Sequence, residues 1–321
     1  MKVSADIERI VDTALAGEQP GRDELVRLMG VDEFSLDAHY INWAADKRRR
    51  ELSDNTAEVH AQIGIDANPC SKNCQFCSFA AINIARKGKM EMPIDKIIDY
   101  ARAYVEQGAN CLTVMITADY DVEQYLDYLA QVREAIGPDM PITANMGDFD
   151  LPLAERLKAV GVGSIYHAVR MGEGVITDIP LERRFQTIEA AQAAGLKILT
   201  CLEMIDPRCS NEDVADNMLR MAALKAQDCT AFGMIPVPGT KLCDDEHYTF
   251  RKYALYNDIM RLACGPETRF NGNLSWAEVG TNPRDDKNET ENDGLGKSVE
   301  KVRTDFTRDG WKTFQGPSPL W

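Results

Sequence analysis

Three cysteines fall within eight residues in the segment NPCSKNCQFCSF, at Cys70, Cys74 and Cys77. With nine cysteines in the chain, chance fills two such slots beside a given cysteine roughly once in a thousand. Soft thiolates at this spacing can grip three irons of a [4Fe-4S] cube and leave the fourth iron open to a bidentate small molecule. Tetrahedral zinc asks for four ligands, usually in two separated pairs, and His60 lies upstream at the other end of the preceding strand. The other six cysteines (Cys111, Cys201, Cys209, Cys229, Cys243, Cys264) are scattered. An odd total argues against a disulfide framework and for metal or catalytic use in a reducing compartment.

Position agrees with this chemistry. The cysteines follow AQIGIDA, the first of a series of β-rich runs that alternate with helical patterns: CLTVMI near 111, PITANM near 141, SIYHAVR near 164, KILTCLEM near 197 and TAFGMIPV near 230. After Pro93 the residues Ile94, Ile97, Ile98, Ala101 and Val105 fall on one helix face, and Gly108 stops the helix. Two weaker runs, RFNGN near 269 and AEVGT near 277, raise the strand count to the eight that close a (βα)8 TIM-type barrel; a partial six-stranded barrel is the alternative. Such barrels build active sites at the carboxyl ends of their strands, where the three cysteines sit. Residues 1–58 read as an N-terminal helical extension whose RRRELSD end is charged and solvated, 59–281 as the barrel, and 282–321 as a polar loop, a last helix near 297–308 and a short tail.

Apolar residues make up 44% and charged residues 27% of the 321, as expected of a globular chain. A net charge of −15 repels phosphate backbones and anionic lipid, which makes nucleic acid and membrane surfaces poor partners. No apolar run reaches membrane-spanning length, and the start MKVSADIERIVDTALAG lacks a secretory apolar core, so a soluble, cytoplasmic protein is expected.

The cysteine segment resembles the signature CxxxCxΦC of the radical S-adenosylmethionine (SAM) enzymes, with Phe76 as the aromatic residue. The resemblance implies a [4Fe-4S] cluster whose open iron binds the amino and carboxylate groups of SAM. One-electron reduction, from a donor such as flavodoxin or ferredoxin, then yields a 5′-deoxyadenosyl radical. The likeness spans about residues 55–281 and is nearest the subgroup of biotin synthase, the HydE-type hydrogenase maturase and methylornithine synthase. It places the arginine that pairs with the SAM carboxylate at Arg184, in LERRFQTIEAAQAAGLKIL; an exposed helix arginine is the plainer reading. MIPVPGTKL, with Pro238, Gly239 and Thr240, looks like the sixth-strand exit. Glu173, in VRMGEGV, falls near a ribose-contacting acid, with a solvated loop glutamate as the alternative.

The likeness also has gaps. The second-strand exit reads MITADYD where relatives carry a glycine-rich run that cradles the SAM amino group; Thr117 and Asp119 are the substitutes. Biotin synthase holds a second, sulfur-donating cluster with cysteines on three strands. Here Leu199 occupies one of those positions and PITANM has no cysteine, so a sulfur-inserting enzyme would need a relocated cluster drawing on Cys201, Cys209 or Cys243.

Strand alternation adds a reading from the residues themselves. If Leu199 points into the barrel, so do Cys201 and Glu203 nearer its open end. Cys201 is then a catalytic hydrogen donor, a metal ligand or packing, and Glu203 needs a cation, either a substrate ammonium or a protein arginine such as Arg170. Asn145, at the third strand's exit, is a further substrate candidate, while His167 reads as a satisfied core histidine. Arg86, Lys87 and Lys89 form a positive patch for an acidic reductase or a solvated face. The expectation is a radical SAM enzyme taking hydrogen from a small, amine-bearing or amino-acid-like substrate for rearrangement or bond cleavage. Its rivals are sulfur insertion and a non-enzymatic iron–sulfur carrier.

Overall fold

The computed structural model describes residues 2–83, 90–284 and 298–321. Three helices lead: α1 (Ala5–Leu15), α2 (Arg22–Met29) and α3 (Leu36–Leu52). There follow β1 (Glu58–Gly64), α4 (Ile94–Glu106), β2 (Cys111–Met115), α5 (Val122–Ile136), β3 (Ile142–Asn145), α6 (Leu151–Ala159), β4 (Ser164–Tyr166) and β5 (Val169–Arg170). The chain continues through α7 (Leu181–Ala193), β6 (Lys197–Ile205), α8 (Asn211–Ala223), β7 (Asp228–Gly233), α9 (Phe250–Ala263), β8 (Leu274–Gly280) and α10 (Val299–Arg308). The helices begin where side chains satisfy orphan amides: Ser35, Asp121, Asp150, Ser210, Thr249 and Ser298 each accept from a backbone N–H of the first turn. Gly108, at φ +76°, turns the chain out of α4.

All strand pairs are parallel, in the order β8–β1–β2–β3–β4–β6–β7, with β5 also paired to β6. The expected strand SIYHAVR is thus two short pieces of one stave, interrupted at His167 and Ala168. RFNGN does not form the expected strand. It contributes a single bridge, Asp228 to Phe270, and among the described residues no ladder joins β7 to β8. The result is a partial barrel, a curled parallel α/β sheet rather than a closed (βα)8 cylinder.

The barrel floor is plugged. Leu199, Phe270 and Leu274 pack with Trp276 and Trp321, and Trp321 stacks on Phe270 at 5.9 Å and donates from Nε1 to Glu58 at 2.9 Å. Outside, α3 lies on α9 and α2 on α8, so the leading helices share the main core. The expected solvated end of α3 is corrected in part: Arg49 is buried, bound to Asp258 at 2.6 Å and to the Asn271 carbonyl at 2.7 Å. The charge lies inward because α9 supplies a carboxylate there. No described helix is long and apolar enough to cross a membrane.

Candidate active site

The carboxyl ends of the strands surround a cavity of about 1080 Å³, counted out to its solvent mouth. Cys70, Cys74 and Cys77 all line it. Their loop is held from several sides. Ser71 donates from its amide and hydroxyl to Asp119 at 2.5 and 3.0 Å, and the Gln75 amide bonds to the Ile176 carbonyl. The Asn83 amide donates to the carbonyls of Cys74, Gln75 and Cys77 at 3.2, 3.4 and 2.8 Å, while its oxygen accepts from the Lys241 amide. The Ser78 amide bonds to the Pro283 carbonyl, tying the loop to the segment after β8. Burial pushes the Cys74 thiol up to about 11 and the Cys77 thiol to about 12, partly opposed by Arg170.

Phe76 lies under the Arg170 guanidinium, 5.5 Å from ring to cation. Arg184 also lines the cavity and is buried. Its Nε donates to Glu173 at 2.9 Å, and its Nη1 lies 3.3 Å from Asp148 and 3.2 Å from His167 Nε2. Burial, with Arg184 adding to it, depresses His167 to about 4 against the pull of Asp148, so the ring is neutral near pH 7. Thr117 lines the wall, but its amide and hydroxyl are both given to Asp66, at 2.7 and 2.6 Å. Asp119 serves the cysteine loop instead.

At the inner end, Glu203 accepts from Tyr166 at 2.7 Å and from Arg284 at 2.5 Å, and Arg170 Nε stands 3.5 Å away. Burial alone would raise the Glu203 carboxyl, yet Arg284, then Arg170 and the Tyr166 hydroxyl, hold it below the usual range. Asn145 lines the same space. Alternation does not explain why both Glu203 and Met204 line the cavity. Leu202 pairs with Ala231 and Ile205 with Gly233, so β6 carries one extra residue, and Met204 takes up the bulge at φ +62°. Its side chain packs on Phe76, Met234 and Leu242.

Two expected site residues lie elsewhere. Glu173 is not on the cavity wall; its fully buried carboxylate is taken by Arg184, Arg170 and the Thr177 hydroxyl. Cys201 is buried beneath Glu203, off the lining, where burial raises its thiol well above the usual range. Sequence reasoning missed Tyr166, Asn83, Asp66 and Arg284. Arg284 sits in the polar run NPRDDKNETENDG, where only the preceding strand's exit hinted at it. The patch Arg86, Lys87 and Lys89, and most of that polar run, lie outside the described residues.

Residues 65–222 match the model of the radical SAM superfamily. A biotin synthase of Sulfurihydrogenibium sp. is 24% identical over 259 residues, covering 76% of this chain and 74% of that enzyme. A biotin synthase of Nocardioides sp. is 25% identical over 74% of this chain and 65% of its own. Among solved structures, methylornithine synthase superposes with a TM-score of 0.78 at 15% identity, over 97% of this chain and 98% of its own. The hydrogenase maturase HydG of Carboxydothermus hydrogenoformans does so with 0.75 at 17% identity, over 96% and 79%. These structural likenesses carry the fold.

Proposed function

We infer the reaction of a chain that belongs to the radical SAM superfamily, and is therefore an enzyme using a [4Fe-4S] cluster and SAM, from what its own residues present to the cavity. It takes hydrogen from a small molecule held at the inner end of the cavity and completes a rearrangement or bond cleavage.

The cysteine loop suits a cube. Its donors are three thiols that line one cavity, and thiolates are the ligands that such a cube takes. Cys70, Cys74 and Cys77 would hold it. When bound, cluster and SAM supply a primary carbon radical that can break an unactivated C–H bond.

The protein's part is orientation and exclusion of water. Arg184, fixed by Glu173 and Asp148, offers its remaining N–H groups to the SAM carboxylate. Phe76 and Met204 pack together beside Cys74 and Cys77, Phe79 and Met115 pack beside Cys70, and with Ile116 they give the lining apolar surface. The reducing electron enters from an external carrier of the flavodoxin or ferredoxin kind.

The observation that favours carbon chemistry over sulfur insertion is the lining itself. Its only described thiols are Cys70, Cys74 and Cys77, while Cys201, Cys209 and Cys243 stand off it and Leu199 is floor packing. Anaerobic reconstitution followed by iron and sulfide analysis tests this, with about four irons per chain expected. Six to eight irons would support sulfur insertion. Reduced protein given SAM should release 5′-deoxyadenosine, and Cys74→Ala should abolish it; an unchanged nucleotide pool would make the protein a carrier.

A further inference from the structure

The inner end of the cavity has more hydrogen-bond donors than acceptors. An arginine carries five N–H groups. Arg284, on the lining, gives one of them to Glu203, and its side chain is 39% exposed. Arg170 gives Nη1 to Glu173 at 3.4 Å, while its buried Nε faces Glu203 Oε2 at 3.5 Å without closing a hydrogen bond. Most acceptors are occupied, and among the described residues Glu203 Oε2 has only the Arg170 Nε beside it at 3.5 Å. Glu203 Oε1 already takes Tyr166 and Arg284, and Glu278 is engaged by Asn282 at 3.0 Å and Gln62 at 3.5 Å.

The layering of charge matters more than its sum. Glu173, which pairs with Arg170, lies off the lining, so beside the ligand space Arg170 and Arg284 share one lining carboxylate, Glu203. Below these, Tyr166 and Trp276 meet edge to face at 5.9 Å and form an aromatic floor. Glu203 is thus already paired inside the protein, and it braces two arginines that both line the cavity.

We propose that Arg170 and Arg284 form the binding site for a carboxylate on the substrate, with Glu203 as the positioning residue that sets their spacing and the Tyr166–Trp276 floor receiving an apolar body. The substrate is thus a small organic acid, a class that deepens the radical SAM reading above and rests on it for the site's role in turnover. A planar carboxylate matches guanidinium forks in two-point contact, whereas an ammonium would meet two guanidinium charges beside the one Glu203 carboxylate that they already bind.

The test titrates hexanoate, hexanamide, hexylamine and hexyl phosphate into the anaerobic, iron-loaded protein by calorimetry, with and without SAM. Hexanoate should bind at least ~10-fold more tightly than the amide or the amine, the gap expected of one charge-assisted contact. Arg284→Met should lower hexanoate affinity ~10-fold or more while iron content and SAM affinity hold. Glu203→Gln carries the sign: freed of their internal carboxylate, the arginines should bind hexanoate more tightly.

Preference for hexylamine or hexyl phosphate, no binding of hexanoate, or weaker hexanoate binding in Glu203→Gln would each overturn the proposal. So would a parallel loss of SAM affinity in Arg284→Met, because the guanidinium would then serve the SAM carboxylate. Failure of the wild type to bind SAM, with the SAM-free hexanoate titration intact, would overturn the cofactor reading alone.

Discussion

Arg184 Nε donates to Glu173 at 2.9 Å inside the wall of the cavity, with the Glu173 side chain fully buried. An acid on a loop therefore acts through an arginine on the following helix. Arg184→Ala should weaken SAM binding ~10-fold or more and leave iron content unchanged. Glu173→Gln should weaken it by a smaller factor, through loss of the fixed guanidinium. The double variant should bind SAM no worse than Arg184→Ala, the signature of two residues acting as one unit. Additive losses would instead give Glu173 its own contact.

Asn83 fastens the cysteine loop by donating to three carbonyls at once. Asn83→Ala should cost about 1–3 kcal/mol and speed iron loss on exposure to a chelator, since those carbonyls lose their donor. Asn83→Asp should be worse than Ala, because a carboxylate would face the same oxygens. Equal iron retention in wild type and Asn83→Asp would show that the clasp is dispensable.

The bulge at Met204 requires a left-handed backbone that β-branched residues strongly avoid. Met204→Ile keeps size and apolarity, a swap that elsewhere costs less than about 1.5 kcal/mol. Here it should cost a further ~1–3 kcal/mol in urea unfolding, the usual scale of such backbone strain. It should also weaken SAM binding as β6 straightens and Glu203 and Met204 no longer share the cavity. Met204→Asn, which tolerates the conformation, should lose packing but keep the bulge.

Gly64 and Thr281 cross closely where β1 and β8 leave the sheet: a Cβ on Gly64 would lie 1.9 Å from the Thr281 carbonyl oxygen. Neither backbone can yield without shifting the segment that carries Pro283 and Arg284. Gly64→Ala should therefore destabilise by more than about 2 kcal/mol and disturb the cavity, read as a lower Tm and weaker SAM binding. A neutral outcome would mean that the strap moves freely.

His60 on the barrel floor gives a pH signature. Burial alone would lower its pKa, but the neighbouring Cys111 sulfur and the Glu58 carboxylate, 3.0 Å away, outweigh burial and hold it at about 9. The folded state thus binds this proton more tightly than the unfolded chain. Its contribution is complete below about pH 6.5 and is lost as pH rises through 9, at up to ~1.4 kcal/mol per pH unit. Asp228, kept protonated up to about 8 chiefly by burial, loses stability in the same direction from lower pH. Urea unfolding from pH 6 to 9.5 should show the fall, and His60→Gln should flatten its upper part.

Whatever depends on local spacing is legible in the chain before it folds. CxxxCxΦC named the cluster chemistry because ligand spacing within one loop survives any tertiary arrangement. Periodicities of two and 3.6 placed the six clear strands and their helices; the two-residue repeat along KILTCLEM turned both Cys201 and Glu203 toward the substrate, and of the two only Glu203 lines the cavity. RFNGN misled because a strand is defined by its partner, and the floor plug of Trp321 and Phe270 leaves that segment a single bridge. Which charges meet is a property of the folded chain. Arg284 is 81 residues from Glu203, Glu173 turned behind Arg184 instead of toward a ligand, and the extra residue in β6 put neighbours on the same side. Such pairings depend on how loops fold back over the barrel mouth, where no repeat in the chain records the neighbour that a side chain will find.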